Sequence, residues 1–208
     1  MLDSKGFDLW ADGYDRSVNL SDVNDAYPFA GYRDVLGVIY DGIRKSPGKR
    51  ILDVGIGTGA LAGKLYTDGY EITGIDFSEN MIQIARERLP DAKIYCHDFS
   101  KGLPAELDGE RFDAITCTYA IHHLEDEQKA AMIRLWQKHL APGGRIYIGD
   151  VSFENRAALE ACKIAAGDEW DDEEYYFVAE EMKKQVPDSE YRKISYCAGV
   201  LTVGEARE

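Results

Sequence analysis

Arg50-Ile51-Leu52-Asp53-Val54-Gly55-Ile56-Gly57-Thr58-Gly59-Ala60 is a short apolar run that stops in three glycines spaced two apart. The run has strand composition, and the pattern after Ala60 is helical, so a strand turns into a helix here through backbone that glycine adopts without steric cost. Such a turn is where an open α/β sheet gathers its ligand. Further strands follow: Tyr70-Glu71-Ile72-Thr73-Gly74-Ile75 stops at Asp76, and Ala92-Lys93-Ile94-Tyr95-Cys96 ends near Asp98. Phe112 to Cys117 and Arg145 to Gly149 read as strands four and five. Between strands two and three, Ser78 offers an N-cap, Ile82, Ala85 and Leu89 recur at helical spacing, and Pro90 closes the segment. Met132, Leu135, Trp136, His139 and Leu140 form a second apolar stripe, ended by Ala141-Pro142-Gly143-Gly144. Strands alternating with helices mean βαβ units around a mostly parallel sheet, so the fold class is α/β. Helices are expected near Asn155 to Ala166 and Asp171 to Val186, and a last β-rich region spans Tyr191 to Val203, with Ala198-Gly199 as a turn between antiparallel strands.

The 208 residues exceed the roughly 150 expected of an average domain without reaching two, so residues 1–208 read as one domain. With 38 acidic and 24 basic side chains the net charge is −14, which opposes a phosphate backbone, and nucleic acid is excluded as a partner. The amino terminus lacks the basic start and apolar stretch of a secretory signal, and no run approaches the ~20 apolar residues of a membrane span. A cytoplasmic protein with no membrane partner is expected. Cys96, Cys117, Cys162 and Cys197 are scattered without a C-x-x-C pair, which suggests buried free thiols and no metal site.

Gly55, Gly57 and Ala60 satisfy the loose dinucleotide pattern G-x-G-x-x-G/A, and Asp76 stands at the spacing of a ribose-binding acid, so a NAD-dependent oxidoreductase passes this first test. A third acid separates the readings. Asp53 before the glycines, Asp76 after strand two and Asp98 after strand three make the chain resemble the class I S-adenosylmethionine-dependent methyltransferases, whose D/E-x-G-x-G-x-G motif stands here as Asp53 to Gly59. The resemblance continues through Gly74 to Met81, Cys96-His97-Asp98-Phe99, Phe112 to Ile115 and Leu140 to Gly144, covering about residues 48 to 150. It implies a Rossmann-like, mostly parallel seven-stranded sheet with helices on both faces and an antiparallel carboxy-terminal strand. Residues 47–208 would form this core, under an amino-terminal helical cover at residues 1–46. It further implies S-adenosylmethionine as cofactor and S-adenosylhomocysteine as product. Gly55 and Gly57 would line its methionine and ribose portion, Asp53 would orient the methionyl end, and Asp76 would accept both ribose hydroxyls. Phe77 and Met81 would pack on the adenine, Asp98 would accept from its exocyclic amine, and the Phe99 backbone would serve the ring nitrogen. A carboxylate suits a vicinal diol because its two oxygens accept side by side.

Strand four leads into Thr118-Tyr119-Ala120-Ile121-His122-His123-Leu124, where family members place groups between cofactor and acceptor. The Asn/Asp-Pro-Pro-aromatic tetrad of the family's exocyclic-amine nucleic-acid methylating members is absent. Thr118 would border the cofactor, and one imidazole of His122 and His123 would act as general base, the other reading being a helix-start histidine bonded to backbone. Adjacent side chains do not easily face one site. Trp10-Ala11-Asp12-Gly13-Tyr14-Asp15 resembles the W-A-x-x-Y-D segment of the family's cover, with Tyr14 as its candidate catalytic residue and Tyr27, Tyr32 and Arg33 as weaker ones. The acids from Asp168 to Glu174 read as the charged first turn of a helix, with Lys183-Lys184 near its other end. Residues 194–202 look similar to the ending of small bacterial members. The expected activity is methyl transfer to a small-molecule acceptor by in-line displacement. The alternatives are an S-adenosylmethionine-binding sensor without transfer activity and the oxidoreductase, in which the third acid and the Pro-Gly-Gly turn have no role.

Overall fold

The computed structural model describes residues 26–46 and 48–204. Tyr14 and the Trp10 to Asp15 segment lie outside the described residues, as does most of the expected cover. Eight strands are present among them: β1 (Arg50–Val54), β2 (Glu71–Asp76), β3 (Lys93–Cys96), β4 (Phe112–Thr118), β5 (Leu140–Phe153), β6 (Phe177–Val178), β7 (Ser189–Lys193) and β8 (Ala198–Val203). Six α-helices accompany them: α1 (Tyr32–Arg44), α2 (Ala60–Thr67), α3 (Glu79–Arg88), α4 (Asp126–Gln137), α5 (Arg156–Ala166) and α6 (Ala179–Gln185).

Seven strands run in the order β3-β2-β1-β4-β5-β8-β7, and the two-residue β6 pairs with β5 off that path. The pairs from β3 to β5 are parallel, while β8 runs antiparallel to both β5 and β7. This is the expected Rossmann-like sheet. Successive residues of a strand face opposite sides. Ile51 accordingly joins a core with Val35, Ile39 and Ile43 of α1 and Leu61 and Leu65 of α2. Leu52 and Val54 join the opposite core with Ile133 and Trp136 of α4 and Met182 of α6. At about 25 cal/mol per Å² of apolar surface removed from water, these two layers are the main stabilising contribution. α1 sits on the sheet itself, so close that a Cβ on Gly149 would stand 2.4 Å from Val35 Cγ1.

Local signals set the ends of the elements. Ser78 caps α3 as expected, its Oγ accepting from Met81 N at 3.2 Å. Glu125 and Gln128 form a capping box at the start of α4. Three expectations are corrected. No helix spans Asp171 to Val186: Phe177 and Val178 pair with Ser152 and Phe153 of β5, and the helix begins only at Ala179. Ala198 and Gly199 are not a turn but the first residues of β8. The reversal lies at residues 194–197, where Ile194 N and Ser195 N both donate to Ala198 O. Gly199 lets the Tyr191 side chain lie close against β8, where a Cβ would stand 2.3 Å from the Tyr191 hydroxyl oxygen. Of the cysteines, Cys117, Cys162 and Cys197 are buried free thiols as expected, but Cys96 is exposed. No helix among the described residues is long and apolar enough to cross a membrane.

Candidate active site

The order of strands reverses between β1 and β4, and the crevice at the carboxyl ends of these strands is where such sheets bind ligands. The glycine turn after β1 occupies it. Gly55 N and Ile56 N donate to Ile75 O at 2.8 and 2.9 Å, tying the turn to β2. Gly55, Gly57 and Gly59 have φ of 71°, 52° and 79°, in the left-handed region that glycine tolerates. Their surroundings differ. A Cβ on Gly55 would stand 2.6 Å from Ala120 Cβ, whereas a Cβ on Gly57 would meet nothing within 4 Å, because that position opens into the cleft.

Asp76 closes β2 and clamps the turn: Oδ2 accepts from Gly57 N at 2.8 Å and Oδ1 from Ser78 N at 2.9 Å. Asp76 lines the cleft. Asp53 lies buried at the end of β1 and is not among the lining residues, its Oδ1 accepting from Thr116 Oγ1 at 2.7 Å. Burial pushes its carboxyl up to about 7, with Asp76 adding to the rise and the Thr116 bond opposing it. Asp98 takes the N-cap position of a short turn at residues 99–101, accepting from Ser100 N and Oγ at 3.0 and 2.6 Å and pairing with Lys101 at 3.0 Å. Burial works to raise this carboxyl, but the Ser100 and Lys101 contacts outweigh it and hold it below the usual range. Asp98 does not line the cleft.

The cleft has a volume of about 290 Å³. Gly55, Gly57, Phe77, Met81, Phe99 and Thr118 line it, together with Tyr27, Phe29 and Tyr32 from the segment around the start of α1. The structure thus gathers seven of the nine expected cofactor residues around one space, and Asp53 and Asp98 are not on its lining.

Beyond β4 the chain passes through Tyr119, at φ 50°, into a 3₁₀ turn, Ile121–His123. Asp150 of β5, fully buried, organises this turn. Its Oδ2 accepts from Ile121 N and His122 N at 3.1 and 3.3 Å, and its Oδ1 lies 2.8 Å from His122 Nδ1. An imidazole that donates Nδ1–H to a carboxylate presents Nε2 as its proton acceptor. His122 Nε2 stands 3.4 Å from Glu174 Oε1. Burial disfavours the imidazolium, yet the Asp150 charge and hydrogen bond, with Glu174, more than offset this and raise the His122 pKa. His123 also lines the cleft, its ring centroid 4.3 Å from that of His122, because the tight turn brings neighbouring side chains to one space. Burial, with repulsion from His122, pushes His123 down to about 3, so it stays neutral.

Glu174 is held by a run of hydrogen bonds. Asp171 N donates to the Tyr27 hydroxyl at 3.4 Å, the Tyr27 and Tyr176 hydroxyls are 2.5 Å apart, and Tyr176 donates to Glu174 Oε2 at 2.5 Å. Trp170 stacks on Tyr27 at 5.4 Å and meets Tyr176 edge-on at 5.0 Å. The segment is fastened to the histidine turn, since Tyr175 N donates to His122 O at 2.8 Å and the buried Lys129 ammonium donates to Tyr175 O at 2.5 Å. The donor atoms of His122, His123 and Glu174 all lie within 4.8 Å of one another. Sequence reasoning missed Asp150, Glu174 and Tyr176. The only available signals were an acid closing a buried strand, Gly149-Asp150, and aromatics interleaved with the acids at residues 168–176.

Residues 51–144 match the family described as "Methyltransferase domain". An uncharacterized methyltransferase of Anoxybacillus flavithermus is 38% identical over 155 residues, covering 74% of this chain and 70% of its own. An uncharacterized methyltransferase of a Geobacillus species is 37% identical over the same shares. Among solved structures, Streptomyces venezuelae DesVI aligns with a TM-score of 0.69 at 20% identity, covering 94% of this chain and 98% of that one. Magnesium protoporphyrin IX methyltransferase of Synechocystis PCC 6803, solved with bound S-adenosylhomocysteine, aligns with a TM-score of 0.67 at 18% identity, covering 86% and 85%. Sequence relatives and fold agree with the motif order, and the chain belongs to the class I S-adenosylmethionine-dependent methyltransferases.

Proposed function

We propose that this protein transfers a methyl group from S-adenosylmethionine to a small-molecule acceptor, with His122 as the general base. The observation that supports it best is the convergence, around one cleft, of the Asp76-clamped glycine turn and a buried histidine backed by Asp150. The residues present fit the cofactor: Gly57 leaves open space where any side chain would intrude, and the Asp76 carboxylate lines the same space. In this reading Asp76 holds the ribose hydroxyls, Gly55, Gly57 and Thr118 border the sugar and methionine, and Phe77 and Met81 cover the adenine. Asp53 acts on the methionyl end from behind the turn. Asp98 stays with Ser100 and Lys101, leaving the adenine edge to the Phe99 backbone. When bound, S-adenosylmethionine supplies a methyl carbon made electrophilic by its sulfonium.

The protein's own work is positioning, exclusion of water and proton acceptance. Tyr27, Phe29 and Tyr32 wall the cleft. His122 Nε2 takes the acceptor's proton, and the resulting imidazolium lies between Asp150 Oδ1 and Glu174 Oε1. His123 is too weakly basic for this role. A cofactor sensor would have no use for a histidine held between two carboxylates, which favours transfer over sensing. The test replaces His122 by Ala and follows methyl transfer alongside cofactor affinity. Transfer falls about 10²-fold with affinity unchanged. The base must be neutral and its pKa is raised, so the wild-type rate climbs with pH through an inflection above the ordinary histidine range. Full activity in the variant would overturn the assignment.

A further inference from the structure

We propose that the acceptor is a primary or secondary amine that enters as its ammonium and seats against His122 Nε2 and Glu174 Oε1. This deepens the reading above and rests on its placing the acceptor at the His122 end of the cleft.

Among the described residues the wall of the cleft is one-signed. Glu169, Asp171 and Glu174 line it, and among the described residues no lysine or arginine lines any part of the cleft. Glu174 Oε1 and His122 Nε2 stand 3.4 Å apart there, with the His123 ring against that of His122. The ammonium of a primary or secondary amine carries at least two N–H donors and no acceptor, so it can donate to both atoms from the cleft side of the pair. His122 Nε2 is not simply a surface group near acids. It is the cleft-facing atom of a buried ring whose other nitrogen is already committed to Asp150.

The chemistry separates amines from other nucleophiles. An ammonium gives its proton to His122 Nε2, which frees the nitrogen lone pair. That pair forms the N–C bond to the methyl carbon while the electrons of the broken C–S bond stay on sulfur. Before the step the charges are a sulfonium and an ammonium; after it they are an imidazolium and a methylated ammonium, with sulfur neutral. Positive charge thus stays beside Glu174, which the Tyr176 hydroxyl holds in place, throughout the step, and a pre-positioned charge stabilises it without reorganisation. A thiol, hydroxyl or carboxylic acid would instead bring or develop negative charge against the same carboxylate.

The test is calorimetry on the full chain, free and saturated with S-adenosylhomocysteine, using benzylamine, benzyl alcohol and phenylacetate as compounds of matched size, with Zn²⁺ as a separate arm. Benzylamine is expected to bind at least about tenfold more tightly than benzyl alcohol, and phenylacetate more weakly than either. Glu174→Gln removes that advantage, and Asp171→Asn, which leaves the Tyr176 hydrogen bond in place, reduces it. Equal or tighter binding of the alcohol or the carboxylate overturns the proposal. So do a preference unchanged in both variants, no benzylamine binding up to about 10 mM, or micromolar Zn²⁺ binding that excludes benzylamine. Failure of S-adenosylhomocysteine to bind counts against the cofactor reading instead, and the cofactor-free arm still reports the amine seat.

Discussion

Asp53→Asn stabilises the protein while weakening its hold on the cofactor. The carboxyl is buried at the end of β1, with one hydrogen bond from Thr116, and sits near Asp76, so its pKa rises from 3.8 to about 7. A group whose pKa is raised on folding adds stability at low pH and loses it as pH climbs. Below about pH 4 both folded and unfolded chains hold the proton; between about pH 4 and pH 7 only the folded chain does, and the slope of stability with pH is negative. A rise from 3.8 to about 7 makes the accumulated penalty about 4 kcal/mol above pH 7, on the order of 10 °C in Tm for a chain of this size. Asparagine keeps the shape and the acceptor for Thr116 but does not titrate. Urea unfolding of both forms from pH 4 to pH 8 is therefore expected to show a gap that widens by up to about 4 kcal/mol towards pH 7 and then flattens. A gap independent of pH would refute this. The variant is expected to lose S-adenosylmethionine affinity, because a buried carboxylate next to a ligand ammonium is favourable only when that ammonium is present.

Gly57→Ala folds, at a cost of about 1 kcal/mol for its left-handed backbone, but its Cβ occupies the cleft, so cofactor affinity falls well beyond the loss in stability. Gly55→Ala shows the reverse order, with a thermal shift larger than that of Gly57→Ala, because its Cβ collides with Ala120. Asp76→Ala lowers S-adenosylmethionine affinity by at least ~1.5 kcal/mol in calorimetry, the scale of hydrogen bonds lost from a charged group; unchanged affinity in a folded variant contradicts the ribose assignment. Deleting residues 1 to 20 reduces cofactor retention more than it changes the circular dichroism of the sheet, and equal affinity in the truncated chain would show that the Trp10 to Asp15 segment is no cover.

The glycine-turn half of the cleft was legible because its signals are local. The glycine spacing, the acid near each strand's end and the Ser78 cap are each written within a few residues, so the turn after β1 and the start of α3 could be placed from pattern alone, although the Asp76–Gly57 bond that joins them spans 19 positions. Asp98 shows the limit of that method, since an acid after a strand serves equally well as a cap, and here it caps Ser100. The acceptor half depends on distant pairings. Tyr27 meets Tyr176 across 149 positions and His122 meets Asp150 across 28. The run from Asp168 to Glu174 has the composition of a solvated helix start, yet it folds as short turns, with packing of Trp170 and Tyr176 on Tyr27 and pairing of β6 with β5 holding it against the site. Tertiary contacts overrode the local preference, and the acids it carries became the wall of a cleft.

Parallel calorimetric titration of the full chain with S-adenosylmethionine, S-adenosylhomocysteine and NAD tests the central claim most directly. Both sulfur nucleosides are expected to bind with one site per chain and a Kd of order 10 µM or tighter, and NAD to give no heat at the same concentrations. Binding of NAD in preference to S-adenosylmethionine would contradict the account.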